Sequence, residues 1–572
     1  MTIIAIDLGT TNSLVAVMRD GQPVTLPNEL GDHLTPSAVA MAEDGGLLVG
    51  RPAWDRLVAA PQVGRAFFKR DMGTTKTYGF GGRRWSPIEC SALVLGEMRR
   101  VAQLHLGGEV RDAVITVPAY FREGQRQATV EAANLAGLAV TRIVNEPTAA
   151  ALAYGLVDPG QEKRLLVLDL GGGTFDVTLL ELWSGVVEVR ATGGESHLGG
   201  EDYTDALLDM LLGRCGLDRS LPNLGRIRAR LESLKRRLSV HERGGIVLEG
   251  FELLVSRDDF ARATAELTGR MRPIVARCLR DAGLQAGEVD AVLLVGGATR
   301  MHMIRDFVRG EFGRDGLADH DPDRVVALGA AVQAALCAGD AAVQDLVLTD
   351  VSSHTLGIET SMELAPGHIV SGYFAPIIDR NTTVPVSRAQ RFNALSSSQD
   401  EITVMVFQGE ARLTKDNHLL GKLQVTGLRR PHPEVGIIDV RFSYDMSGLL
   451  EVDVVVVHSG ARFHTVIEER PGALQQHQIE EIRARLAPLK IAARERLPNR
   501  ARLERANRVY AMLTGQDRDA LAEVLRQFEV ALETGLEESW QEAGRVLDAF
   551  LAQFPLEEGD WQPPPDGADS QS

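Results

Sequence analysis

The amino-acid sequence predicts a duplicated α/β region, then an all-β unit, then a helical segment. Three observations carry that prediction. An acidic glycine loop occurs twice between apolar strands, period-two alternation sets in after about residue 350, and a helical period sets in after about residue 475. The net charge is −17, from 61 Lys and Arg against 78 Asp and Glu, and it repels phosphate backbones and anionic lipid alike. Nucleic acid and membrane surfaces are therefore not the expected partners.

In the first copy, residues 3–6 run into Asp7-Leu8-Gly9-Thr10-Thr11-Asn12, then an apolar run 14–18 and the Asp20-Gly21 turn. In the second, residues 165–168 run into Asp169-Leu170-Gly171-Gly172-Gly173-Thr174-Phe175-Asp176, then 177–182 and Ser184-Gly185. Asp-Gly or Ser-Gly between apolar runs signals a tight hairpin, so both copies read strand, loop, strand, turn. Two such halves face to face would set two acidic loops across one cleft. Residues 125–136 are alanine-rich and close at Gly137, which suits the position after a helix. Residues 139–144 read as a strand, Pro147 suits the first turn of a helix reaching Tyr154, and residues 292–295 form a buried strand before Gly296-Gly297.

In the all-β unit, Ile438, Val440, Phe442 and Tyr444 alternate with Asp439, Arg441 and Ser443. Beyond a short turn, Leu450, Val452 and Val454 alternate with Glu451 and Asp453, which together read as a half-buried hairpin. In the helical segment, Ile479, Ile482, Leu486 and Leu489 make one stripe; Leu521, Val524, Leu525, Phe528 and Leu532 make another, extended by Trp540, Val546, Leu547, Phe550 and Phe554. Residues 561–572, with three consecutive prolines, read as a disordered tail. The four cysteines lie far apart without a C-x-x-C pair, as expected of buried thiols in a reducing compartment. The chain opens directly on a strand with no basic leader, and the apolar runs fall short of the about 18 residues that span a bilayer, so a cytoplasmic address is expected.

The loops point to nucleotide chemistry. Glycines let backbone N–H groups approach phosphate oxygens closely, and Thr10, Thr11, Asn12 and Thr174 add short donors. Asp7, Asp169 and Asp176 would repel phosphate, so a divalent cation should intervene, and magnesium fits.

These residues resemble a known family. Ile4-Ala5-Ile6-Asp7-Leu8-Gly9-Thr10-Thr11-Asn12-Ser13, the 169–176 loop and Leu294-Val295-Gly296-Gly297-Ala298-Thr299-Arg300 look like the three signatures of seventy-kilodalton heat-shock chaperones of the DnaK type. Val117-Pro118-Ala119-Tyr120-Phe121 and Val144-Asn145-Glu146-Pro147-Thr148 match as well. Asn381-Thr382-Thr383-Val384-Pro385 and Arg441-Phe442-Ser443-Tyr444-Asp445 look closest to the bacterial HscC branch.

The resemblance implies an α/β actin-like (ribonuclease H-like, duplicated) ATPase over 1–340 and a linker over 341–351. A β-sandwich peptide-binding unit over 352–472, a helical lid over 473–556 and the tail 557–572 would follow. It implies binding of ATP and ADP with Mg2+, and a potassium site at Asp169, Thr174 and Asp176. Lys69 matches the lysine that positions the attacking water, against its bland reading as a solvated surface lysine. Asp7 and Asp169 would hold magnesium through water, with Glu146 behind them. Gly9, Gly171, Gly172, Gly173 and Gly194 would line the phosphates. Glu232, Lys235, Arg236 and Ser239 share one helix face that would grip adenosine, completed by Gly296, Gly297, Arg300 and Asp323.

Pro118 and Arg126 match an interdomain switch, and the apolar linker with Leu346, Leu348 and Asp350 is expected to dock. Arg142, Asn145 and Asp350 match positions where J-domain co-chaperones engage. Leu356, Ile358, Phe392, Ile402, Val404 and Leu449 would line a groove for apolar segments of unfolded polypeptides, although periodicity alone favours ordinary sandwich core. At the arch over that groove stand Leu395 and Ser361, or Met362 in an alignment shifted by one. The 200–290 region is shorter than usual for the family, which leaves dependence on a nucleotide-exchange factor open. A small-molecule kinase or a filament-forming protein on the same fold would leave the β unit and the helical segment without a purpose.

Overall fold

The computed structural model describes residues 2–42, 46–155, 162–183, 186–221, 224–317, 321–340, 342–343, 347–365, 368–429, 436–445, 450–467 and, more sparsely, 499–554. Over the first 340 residues two mixed sheets repeat one motif. In the first sheet Ile4–Leu8 lies parallel to Asp112–Val117 and antiparallel to Asn12–Arg19, which continues antiparallel into Gln22–Leu26. In the second, Lys163–Leu170 lies parallel to Ala291–Val295 and antiparallel to Phe175–Trp183, which continues into Val186–Glu195. The Asp20-Gly21 turn has φ of 52° and 73°, the left-handed pair that a tight hairpin between twisted strands requires. The predicted helix before Gly137 spans Glu123–Leu135, and Gly137 takes φ 74°, ending it without steric penalty.

Two helices, Glu146–Gly155 and Val325–Ala338, lie between the sheets in a core of small residues that includes Ala149, Ala150, Ala330 and Ala331. Small side chains there let the halves approach closely.

The all-β unit has two four-stranded sheets. One orders His368–Ile378, Leu356–Ala365, Glu401–Gln408 and His418–Thr426; the other orders Val386–Asn393, Ile437–Tyr444, Leu450–Val456 and Arg462–Val466. The predicted hairpin pairs Phe442 with Val452 and Val440 with Val454, and these four residues are fully buried. Glu451 departs from its predicted outward place: it is 2% exposed.

Helices Gly515–Thr534 and Glu537–Leu551 pack through Leu521, Phe528, Leu532, Trp540 and Leu547. Val546 is 47% exposed and leaves the predicted stripe. The stripe at Ile479, Ile482, Leu486 and Leu489 lies outside the described residues, as do Leu346 and Leu449. Among the described residues no helix is long and apolar enough to cross a membrane. The four cysteines are free; Cys90 and Cys278 are buried, and Cys215 and Cys337 partly so.

Candidate functional site

The two glycine loops face one another across a cavity of about 1270 Å³, more than the about 300–1,000 Å³ of an ordinary small-ligand site. Asp7, Gly9, Thr10, Thr11 and Asn12 line it from the first half; Asp169, Gly171, Gly172 and Thr174 line it from the second. At Gly9 and Gly172 the loops have no room for larger residues. A Cβ on Gly9 would lie 2.0 Å from the Asn12 carbonyl oxygen, and one on Gly172 would lie 1.9 Å from Thr11 Oγ1. The Thr11 hydroxyl finds no hydrogen-bond partner among the described residues. A backbone cradle with a spare short donor is what a phosphate oxygen needs.

Lys69 and Glu146 line the same cavity. Lys69 is 3% exposed, which rules out the solvated reading, and its Nζ lies 2.6 Å from Glu146 Oε1. Thr116 Oγ1 donates to Asp7 Oδ1 at 2.7 Å, and the Tyr120 backbone N–H donates to Asp176 Oδ1 at 2.9 Å. Burial pushes the Asp7 carboxyl up to about 6; Glu146 adds to the rise, while Lys69 and Thr116 oppose it. Burial and Glu146 likewise push Asp176 up to about 7 and Asp169 well above the usual range. A carboxyl whose folded pKa is raised contributes stability only below its unfolded value, and loses it as pH rises through the folded one. This cluster therefore burdens the ligand-free chain at neutral pH, and a cation among the carboxylates would relieve it.

Three predicted residues stand behind the cavity rather than on it. Gly173 is wedged so that its Cβ would lie 2.8 Å from Thr10 Cγ2, and a Cβ on Gly194 would lie 2.8 Å from Asp176 Oδ1. Asp176 itself is 1% exposed. Their close packing fixes the loops instead of offering surface.

The predicted adenosine helix spans Leu224–Val240, and Glu232, Lys235, Arg236 and Ser239 all reach the cavity. Glu232 is the hub, 2.6 Å from Lys235 Nζ and 3.1 Å from Arg236 Nε. Lys235 also donates to the Gly200 carbonyl at 2.8 Å. Opposite, Gly296 takes φ 80°, and a Cβ on Gly297 would lie 2.6 Å from Asp323 Oδ1. Arg300 donates to Asp321 and Asp323 at 2.6 and 3.0 Å, so its guanidinium is held at the rim.

Hsp70 protein is the family whose model matches this chain, over residues 3–80 and 75–548. The chain belongs to the Hsp70 family. A chaperone protein DnaK of Thermotoga neapolitana is 39% identical over 488 residues, covering 82% of this chain and 80% of its own. One of Thermosipho africanus is 40% identical over 498 residues, covering 84% and 81%. This Hsp70 is thus an ATPase and an ATP-dependent chaperone.

Several residues that serve the Hsp70 cavity carried no legible motif. Arg70 pairs with Asp202 at 2.6 Å behind the Gly172-Gly173 turn, and Thr204 donates to Glu232 at 2.9 Å. Trp54 and Arg51 line the cavity from the helix Arg51–Ala59. The Gly199-Gly200 pair ahead of a helix was a usable signal: a Cβ on Gly199 would lie 2.5 Å from the Gly173 nitrogen.

In the structure of this Hsp70 the strand Val347–Val351, within the predicted linker, extends the second sheet. Val347–Val351 lies parallel to Val186–Glu195, placing Leu348 beside Val187, and Thr383–Val384 pairs with its far edge. Asp350 is buried and accepts from Asn145 Nδ2 at 2.8 Å; Asn145 Oδ1 accepts from Arg126 Nη2 at 2.6 Å. Burial raises the Asp350 pKa, while the Val351 N–H, Arg126 and Arg142 pull it back. Arg126 also donates to the Phe121 and Ala119 carbonyls beside the buried Pro118.

Of the predicted groove residues, Leu356, Ile358 and Val404 are at most 4% exposed and sit in the sandwich core, with Phe392 and Ile402 partly buried at its margin. At the arch, Met362 and Leu395 are about half exposed, and Ser361 hydrogen-bonds Ser371 at 2.8 Å.

Proposed function

We propose that residues 1–340 are the ATPase, 341–351 the docking linker, 352–472 the peptide grip, 473–556 the lid and 557–572 a tail. The grip would hold short apolar segments of unfolded polypeptides, and ATP hydrolysis would switch it from open to closed. One observation carries this reading: the linker strand is hydrogen-bonded into the sheet whose Asp169 loop lines the cavity. Any movement of that sheet with nucleotide state is then felt by the grip, and by reciprocity the peptide must alter turnover.

Magnesium would supply charge neutralisation at the phosphates. Asp7 and Asp169 would hold its waters, because among the described residues no three acidic, His or Cys side chains converge to bind a metal directly. Lys69, anchored on Glu146, would orient the water whose oxygen bonds to the γ-phosphorus as the bridging bond breaks, giving ADP and phosphate. Asp169, Thr174 and Asp176 are the residues for a potassium ion. Gly9, Gly171, Gly172 and the two threonines of the first loop would hold phosphate, and the helix Leu224–Val240 with Arg300 would hold adenosine.

Arg142, Asn145 and Asp350 are where a J-domain co-chaperone would act, and Arg126, bonded to Asn145, would pass that contact to the interdomain switch at Pro118. We place the protein in the cytoplasm. We assign it to the HscC branch on the segment opened by Asn381, which at φ 62° donates to Asp281 and accepts from the Thr192 N–H.

Single-turnover ATP hydrolysis, with and without an apolar peptide and a J-domain protein, tests the reading. Each addition is expected to raise the rate several-fold. Turnover indifferent to both would remove the coupling, and phosphorylation of a sugar would favour a kinase.

The linker also yields a prediction of its own. Thr349 Oγ1 is buried with no hydrogen-bond partner among the described residues. Thr349→Val keeps the shape and deletes the unsatisfied hydroxyl, so docking should strengthen by about 1 kcal/mol. Slower hydrogen exchange of the linker amides in the presence of ATP is the expected sign.

A further inference from the structure

Between the linker strand and the strand Leu356–Ala365 the chain crosses the loop that carries Tyr120. His354 lies in that crossing, 5% exposed, with its ring tilted 39° against the Tyr120 ring at 4.2 Å between centroids. Its Nδ1 is 3.0 Å from Ser353 Oγ. The charged and titratable groups bearing on it are Arg122 and Arg126, Arg277 from the helix Ala265–Asp281, and the imidazole of His418 from the strand His418–Thr426. The Arg277 guanidinium also lies 5.8 Å from the Tyr120 ring centroid, on the same aromatic that covers the imidazole.

The carboxylates in the neighbourhood are engaged elsewhere. Asp176 accepts from the Tyr120 N–H, Asp350 accepts from Asn145, and Glu410 accepts from the Thr355 N–H and hydroxyl and from Arg380.

We propose that His354 is a titratable latch between the peptide grip and the ATPase, neutral when the two are docked and driving them apart when mild acid protonates it. The proposal rests on the reading that docking is the ATP-bound arrangement. A protonated imidazole here would be a further cation beside three arginines, with Asp176, Asp350 and Glu410 already engaged, and it would lose its hydration on docking. Burial and those arginines accordingly hold the docked His354 pKa down to about 3. Once undocked and hydrated, the ring returns to about 6.5. The sign follows from linkage. The docked state binds the proton less well, so docking is intact above about pH 6.5 and weakens tenfold per pH unit below it. The aromatic that covers the ring also holds Asp176 through its own N–H, so separation would be felt at the acidic cluster.

The test is hydrogen exchange at the Val347–Val351 amides of the full chain with magnesium and a non-hydrolysable ATP analogue. Protection, corrected for the intrinsic pH dependence of exchange, is compared at about pH 7.5 and about pH 5.5. The native chain should lose protection about tenfold between them. His354→Leu, and His354→Gln should the leucine variant fail to fold, should stay flat. Equal losses in native and variant chains, or none in either, would overturn the latch and leave docking standing. Absence of nucleotide-dependent protection even at the higher pH would overturn the docking reading and the latch with it.

Discussion

Lys69→Ala is expected to retain magnesium-dependent ATP binding while its single-turnover hydrolysis falls about 100-fold or more. Lys69 contacts the carboxylate cluster and not the helix assigned to adenosine, and its ammonium lowers the pKa of Asp7, Asp169 and Asp176, joined at Asp176 by Arg126. Deleting it leaves Glu146 buried and unpaired by that ammonium, so those carboxyls rise further and hold more protons near neutral pH. Binding of magnesium and nucleotide should then release more protons than in the native chain. Calorimetry in buffers of different ionisation enthalpy reads that release without any turnover. Unchanged hydrolysis would remove the catalytic role. Lost ATP binding together with a lowered melting temperature would show that the ion pair serves folding instead.

The sequence made the duplicated loops legible because glycine and aspartate at a strand end have few other uses, and the period-two runs located one hairpin of the sandwich, Ile437–Tyr444 and Leu450–Val456, to within two residues. What it could not show was depth. Lys69 is written like any surface lysine, and only the fold carries it to 3% exposure beside Glu146. Glu451 follows polar alternation and is nevertheless buried, while Asp453 and Val455 on the same face are only partly so, so the strand is covered there at its first residues alone. Gly173, Gly194 and Asp176 are motif residues that stand behind the cavity lining, a depth the motif does not write. Conversely, Trp54 and Arg51 reach the cavity from a helix with no motif, since long-range placement has no local signature. His354 is equally silent in sequence: a lone histidine becomes notable only once Tyr120 and three arginines are seen around it.

Gly329→Ala should produce the largest loss of stability, and it bears on how the two halves work together. Gly329 lies in the helix Val325–Ala338, where a Cβ would stand 1.6 Å from the Ala149 carbonyl oxygen and 2.4 Å from its carbon. The opposing atoms are backbone, so no side-chain rotation can relieve the clash, and the helices must separate. Alanine in place of a mid-helix glycine would by itself favour the helix by about 1 kcal/mol. Overpacking a core costs about 1–3 kcal/mol and more where nothing yields. The clash should win, and melting should shift down by several degrees. The opposing helix begins at Glu146, the anchor of Lys69, so separation of the helices moves the ion pair at the acidic cluster. ATP affinity should fall along with stability, and saturating magnesium and ATP should recover part of the lost melting temperature, since ligand binding to the folded state alone raises it. A variant that melts higher than the native chain would show that the two helices are not in backbone contact, and with that the close coupling of the halves would go.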